Sequence, residues 1–259
     1  MTASSLLPTG ERIDIGGRQL FVRVMGQGSP TILCESGLGD TSQTWSTLQS
    51  RLSLLTTVCS YDRAGLGHSD PAPVPRTLKS MVRDLAVLLG TVQLPPPYVL
   101  VGHSFGGLLV RLYASQHPAA VAGIVLIDSS HEEKEQRFES VLQGELRQRH
   151  RAAWHDPAKN AEQVDRRRSS DELRQAPRHF AVPLLVLTRG RPLPLTPPWP
   201  PAALAQIEKE LQQTLLAESP QSHQIIATES GHFIHHDEPE LVIQLLQQMV
   251  DAIRRSTQA

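Results

Sequence analysis

The sequence predicts an α/β fold: a mostly parallel central sheet of about eight strands, helices on both faces, and a helical insertion between two late strands. Three observations carry that prediction. Short apolar runs alternate with longer segments whose apolar residues recur at spacings of three and four, the helical period. Most of the short runs are apolar throughout, as strands covered on both faces must be. Residues 131–180 carry dense charge and a helical pattern without any strand signal, a stretch too long for an ordinary connection.

In chain order, residues 18–25 read as a strand joined through Gly16-Gly17 to a shorter partner at 11–15, so the sheet opens with an antiparallel hairpin. A turn at 26–30 leads to apolar runs at 31–34, 56–59, 98–101, 124–127, 184–187 and 224–227. The last five are expected to be buried on both faces. Helical periodicity over 78–89, 108–116, 202–216 and 241–253 supplies the covering layers. The last helix has a start signal: Asp237 as N-cap, Pro239 in the first turn and Glu240 in the capping-box position. The insertion divides the chain into a core of residues 1–128 and 181–259 and a helical cap of residues 129–180. Residues 191–201, rich in proline, read as a stiff extended connector. There is no internal repeat.

Composition narrows the function. Among 259 residues, 25 Lys and Arg face 26 Asp and Glu, a formal net charge of −1. Nucleic-acid binding or attachment to an anionic membrane surface needs a net basic field, so neither partner is expected. With 39% hydrophobic and 20% charged residues the chain is neither disordered nor membrane-embedded. Residues 1–10 have no cationic start and no apolar h-region, and the expected location is cytoplasmic. Cys34 and Cys59 are too few for a disulfide framework and are expected as buried thiols.

The chemistry concentrates in Gly102-His103-Ser104-Phe105-Gly106-Gly107, which follows an apolar strand and opens a helix. This is the GxSxG pattern in its required strand–turn–helix setting. The glycines flanking the serine relieve a tight turn where a Cβ would clash. Ser104 becomes the candidate nucleophile, and a serine hydroxyl needs a base. His232 is the best candidate, on a loop between the last strand and the last helix, at the sheet edge where such folds bind ligands. His103 should point away from the serine, and His235 and His236 read as surface or helix-start residues. A metal cluster at His232, His235 and His236 lacks converging carboxylate or cysteine ligands, so no metal is expected.

Together with Tyr61-Asp62-Arg63-Ala64-Gly65-Leu66-Gly67-His68-Ser69 and Gly231-His232-Phe233-Ile234-His235, these residues make the chain resemble the α/β-hydrolase superfamily, single-domain serine esterases with a helical cap. The resemblance runs over about residues 11–253. It implies the chain order serine, acid, histidine, and no cofactor. Family members usually place the acid after the strand matching 183–187, but here Thr188-Arg189-Gly190-Arg191 follows. One strand earlier the run 124–127 ends in Asp128, a position some members use, and Asp128 is the expected acid. Glu35, Glu208 and Asp156 stay open as alternatives. Its role would be to accept the Nδ1 hydrogen bond and hold the imidazole's tautomer. The oxyanion hole needs two backbone N–H groups, expected from Phe105 and, in the loop Glu35-Ser36-Gly37-Leu38-Gly39, from Leu38. Glu35 at a buried strand end needs a partner, and Arg63 is the obvious one.

The expected substrate is a small-molecule carboxylic ester. Its pocket is expected to involve Trp45, Phe138, Leu142 and Trp154, since pockets are mostly apolar; Arg166, Arg167 and Arg168 read as a solvated face. Two rival readings differ in class. Gly37-x-Gly39-x-x-Ser42, with Asp62 at the end of the next strand, resembles a dinucleotide fingerprint, although its third position is not glycine. A non-catalytic binding protein on the same fold is the other.

Overall fold

The structure, a computed structural model, describes residues 10–258. Residues 1–9, most of the stretch inspected for a signal peptide, lie outside the described residues. The strands are β1 (Glu11–Asp14), β2 (Gln19–Met25), β3 (Thr31–Glu35), β4 (Val58–Tyr61), β5 (Tyr98–His103), β6 (Val121–Ile127), β7 (Leu184–Arg189) and β8 (Ser222–Ala227). They form one sheet in the order β1-β2-β4-β3-β5-β6-β7-β8. β1 and β2 make the antiparallel hairpin, β2 runs antiparallel to β4, and every later pairing is parallel.

The period-two alternation sorts the core into two layers. Leu33, Leu100, Ile124, Leu126 and Val186 pack on one side against α2 (Leu78–Thr91) and α3 (Phe105–Gln116), which follow the chain order after α1 (Ser46–Leu52). Ile32, Cys34, Val101, Val125 and Leu187 face the other side, against α1 and a long C-terminal helix. Both cysteines are buried and free. Residues 131–180 form α4 (Lys134–Val141), α5 (Gly144–His155) and α6 (Arg166–Arg174), without a strand. The chain then adds α7 (Pro201–Thr214), α8 (Ile234–Asp237) and α9 (Pro239–Gln258). Among the described residues no helix is long and apolar enough to cross a membrane.

Three local expectations fail for identifiable reasons. The run 224–227 is not buried on both faces: β8 is the edge strand, paired only with β7, and Ile226 is half exposed. Asp237 does not cap the last helix. It ends α8, and its Oδ2 accepts the Gly231 N–H at 2.7 Å, bracing the loop that carries His232. α1 escaped the periodicity reading because it is only seven residues long, with three buried positions.

The topology positions the site. β3 lies at the centre, with β4 on one side and β5 on the other, so strand order reverses there. The loops leaving the carboxyl ends of β3 and β5 diverge around a crevice, the usual ligand position in open α/β sheets.

Candidate active site

Ser104 occupies the bend between β5 and α3 with φ 51°, a left-handed conformation that costs a non-glycine residue energy and persists only where its surroundings enforce it. Here they do. The Ser104 N–H donates to Ile127 O at 3.1 Å, and its carbonyl accepts from Gly107 N at 3.0 Å and Ser130 N at 2.9 Å. Gly102 and Gly106 have the steric duty expected of them. A Cβ on Gly102 would lie 2.7 Å from Gly107 Cα, and one on Gly106 would run into the Glu35 carbonyl oxygen. The Ser104 side chain is left partly exposed, and its hydroxyl makes no hydrogen bond among the described residues.

β6 lies beside β5 in register, His103 opposite Ile127, so Asp128 emerges one step from the bend, itself at φ 41°. His232 arrives from beyond β8 and folds back across the end of β7. Its Nδ1 is 2.5 Å from Asp128 Oδ2, and since a carboxylate only accepts, the ring donates there. Asp128 is buried. Burial alone would raise its pKa, but the His232 hydrogen bond and the Arg189 charge outweigh it and hold the carboxyl below its usual range. Of the two links in a serine–histidine–acid relay, the histidine–acid link is made. No hydrogen bond joins Ser104 to His232 among the described residues.

The role of Arg189 was not foreseen. It is the last residue of β7, and its guanidinium joins Asp128 Oδ2 and Glu208 in ion pairs. Glu208 is thus tied to Arg189, and also to Lys134 Nζ at 2.8 Å. Glu35 is tied to Arg63 at 2.5 Å and to the Tyr61 hydroxyl at 2.6 Å. Asp156 caps its own turn through Ala158 N. Among the acid candidates, only Asp128 meets the His232 ring.

Three imidazoles pack together here in tilted and edge-on contacts. His103 donates from Nε2 to the His232 carbonyl at 3.0 Å, and its ring lies 4.7 Å from that of His232 and 4.6 Å from that of His235. Burial, then the neighbouring His232, lowers His103 to about 3. His235 was expected near the surface but is fully buried, stacked on Trp45 at 4.7 Å and lowered by burial to about 2. A helix of four residues gives one face to the interior whatever its polarity, which composition does not disclose.

The loop after β3 lies beside the Ser104 bend, with Glu35 opposite Gly102 in register. Leu38 sits in this loop and its N–H has no acceptor among the described residues. Phe105 is the first residue of α3, so its N–H is one of those a helix leaves unsatisfied.

Each of the expected pocket residues has other partners. Trp45 is fully buried, its indole N–H donating to Ser36 Oγ at 2.9 Å. Phe138 packs against Leu204, Ile207 and Leu211 of α7. Leu142 is buried. Trp154 lines a cavity with Glu139, Arg147 and Arg174. The apolar minority of these polar helices is consumed in seating them. Arg167 and Arg168 are exposed, as a solvated face requires, but Arg166 is half-buried, donating to the Ala153 carbonyl and 3.6 Å from Glu135. A cavity of about 490 Å³ adjoins Asp128, between Lys134, Arg189, Glu208 and Gln212; Ser104 and His232 do not line it. The dinucleotide reading loses its acid: Asp62 is buried, with Oδ1 accepting from Ser42 N at 2.7 Å and Oδ2 from His68 N at 3.0 Å.

Comparison with known proteins agrees with this architecture. Residues 30–189 match the family described as alpha/beta hydrolase fold. The chain is 31% identical over 218 residues to the uncharacterized protein YqjL of Bacillus subtilis, covering 84% of this chain and 82% of that one. An AB hydrolase superfamily protein of Gibberella zeae is 34% identical over 130 residues, 47% of this chain and 40% of that protein. Among solved structures, an esterase from Thermogutta terrifontis superposes with a TM-score of 0.65 at 21% identity, covering 94% of this chain and 98% of that one. An enol-lactonase from Burkholderia xenovorans does so with a TM-score of 0.68 at 17% identity, covering 93% of this chain and all of that one. By its sheet, its strand order and this family match, the chain belongs to the α/β-hydrolase fold family.

Proposed function

We propose that this protein is a serine hydrolase that cleaves carboxylic esters through an acyl-enzyme. The observation that carries the reading is the 2.5 Å contact between His232 Nδ1 and Asp128 Oδ2, one strand from a serine held at positive φ. With Nδ1–H committed to Asp128, the neutral ring carries its lone pair on Nε2, the basic position a serine proton requires. Ser104 Oγ attacks the ester carbonyl as His232 takes its proton. The oxyanion is held by the N–H groups of Leu38 and Phe105. His232 then returns the proton to the departing alcohol. Water activated by the same ring attacks the acyl-enzyme and frees the acid and Ser104. No cofactor enters the scheme.

The structural neighbours include an esterase and an enol-lactonase, and both ester and lactone cleavage run through this acyl chemistry. Residues 129–180 would serve as the lid over the crevice and set substrate size. Transfer of the acyl group to another alcohol uses the same groups, and amide cleavage needs only a different leaving group.

The test is covalent labelling with a fluorophosphonate, followed by peptide mapping. Ser104 should be the modified residue, and Ser104→Ala and His232→Ala should each abolish labelling and turnover of an activated aryl ester. Absence of labelling in a wild-type protein shown to be folded would remove the reading. A panel of esters graded in acyl length, with and without an alcohol acceptor, would then set the substrate class.

A further inference from the structure

Arg63 and Glu162 form a buried clamp on the loop that carries Leu38. The Arg63 side chain is 2% exposed and that of Glu162 is 0% exposed. A guanidinium has five N–H donors in a rigid plane, and here each has an acceptor. Nε donates to Glu162 Oε2 at 2.8 Å and Nη2 to Glu162 Oε1 at 2.6 Å. Nη1 donates to Glu35 Oε1 at 2.5 Å and to the Ser36 carbonyl at 2.7 Å. Nη2 also donates to the Gly37 carbonyl at 2.5 Å. Glu162 Oε1 in turn accepts the Gly39 N–H at 2.8 Å.

The Gly37 carbonyl belongs to the same peptide unit as the Leu38 N–H. In a planar trans peptide those two groups point in opposite directions. By drawing that carbonyl to itself, Arg63 turns the Leu38 N–H away from the protein interior. The guanidinium also lies 5.6 Å from the ring centroid of Phe105, the other expected donor. Glu162 completes the arrangement from a distant part of the chain, in the inserted segment before α6. That segment is stitched to the core by Arg76 N to Gln163 O at 3.0 Å and Asp165 N to Arg76 O at 2.9 Å.

We infer that Glu162 and Arg63 are positioning residues that aim the Leu38 N–H at the developing oxyanion, so that seating of the inserted segment and assembly of the oxyanion hole are one event. The inference rests on the serine-hydrolase reading. Its physical content is that Glu162 orients Arg63 through two parallel hydrogen bonds, a geometry a lysine or a neutral amide does not reproduce. Without it, a peptide lacking a side-chain tether carries the donor, and an oxyanion donor displaced by about 1 Å can cost on the order of 10²-fold in rate.

The experiment compares wild type with Glu162→Gln and Arg63→Lys on an activated aryl ester, with thermal melting to establish folding. Both variants should lose kcat on the order of 10²-fold, with KM changed by about threefold or less, because the ground-state carbonyl uses the hole weakly. Affinity for an aryl boronic acid, which forms a tetrahedral anion on the serine, should fall in parallel with kcat. A folded Glu162→Gln variant with kcat and boronate affinity within about twofold of wild type overturns the clamp. Should neither variant fold, amide exchange in the wild-type protein decides: Gly39 protected, Leu38 exchanging freely and becoming protected with boronate. A Leu38 amide already protected without boronate overturns it. A wild-type protein that labels at Ser104 keeps the hydrolase reading alive whatever the variants do; one that neither labels nor turns over ester removes both.

Discussion

Two side chains converge on one carboxylate oxygen of Asp128. His232 donates to Oδ2, and Arg189 donates to the same atom while its other end joins Glu208. The two partners act in opposition: the carboxylate stabilises an imidazolium, and the guanidinium charge offsets part of that. Asp128→Asn should leave the fold intact and lower kcat by on the order of 10⁴-fold, since an amide can present N–H where an acceptor is required. Steady-state kinetics on an aryl ester checks it, and activity within about tenfold of wild type would move the acid elsewhere. Arg189→Met should act in the other direction. With the cation gone, protonation of the pair is easier, and the acid limb of the pH dependence of kcat/KM should move to higher pH by about one unit. A limb displaced to lower pH, or not displaced, would show that Arg189 does not tune the pair.

At the scale of an element, the first turn of α3 packs against the beginning of the loop that leaves β3. Gly106 stands against the Glu35 and Ser36 carbonyl oxygens so closely that a methyl group has no room. Both neighbours are backbone, and neither yields by a rotamer change. Gly106→Ala should therefore drive the helix start from the loop, costing about 1–3 kcal/mol of stability and reducing kcat beyond what the stability loss explains. Urea unfolding and turnover measured on the same preparation separate the two effects; an unchanged urea midpoint would contradict the packing. For the same reason the loop and the helix act as one unit around Ser104. Their contact is backbone against backbone, and the Arg63 guanidinium lies behind both.

Across the whole molecule, buried histidines tie stability to pH. His103 and His131 are lowered to about 3 and His235 to about 2, in each case chiefly by burial. Against an ordinary value of 6.5, the unfolded chain takes up protons first as pH falls. Stability is then fully present above about 6.5 and is lost progressively below it, with a slope of up to about 1.4 kcal/mol per pH unit for each histidine. Glu35 and Asp40, raised by burial, act with the opposite sign at lower pH. A difference measurement isolates the histidine. The His235→Gln variant should lose less stability than wild type between about pH 7 and about pH 5, read from urea midpoints. Parallel curves would mean that His235 is not neutral in the folded protein.

What the sequence by itself determined was local in origin. Strand and helix periods respond to residues two to four positions apart, and the eight strands and four longest core helices were legible from them. The glycines around Ser104 answer to the sterics of a single turn, and the partnership of Glu35 with Arg63 follows from two adjacent strand ends. The tertiary structure alone decided what depends on groups far apart in the chain. Asp128 meets His232 across 104 positions, and Arg63 meets Glu162 across 99. Arg189 pairs with Asp128 and Glu208, and His235 lies in the interior. Trp45 and Phe138, expected as substrate contacts, are buried among their neighbours. The reason is physical: a pattern records which face of an element is apolar, whereas the partner of a charged or aromatic group is chosen by which loops the assembled sheet brings together.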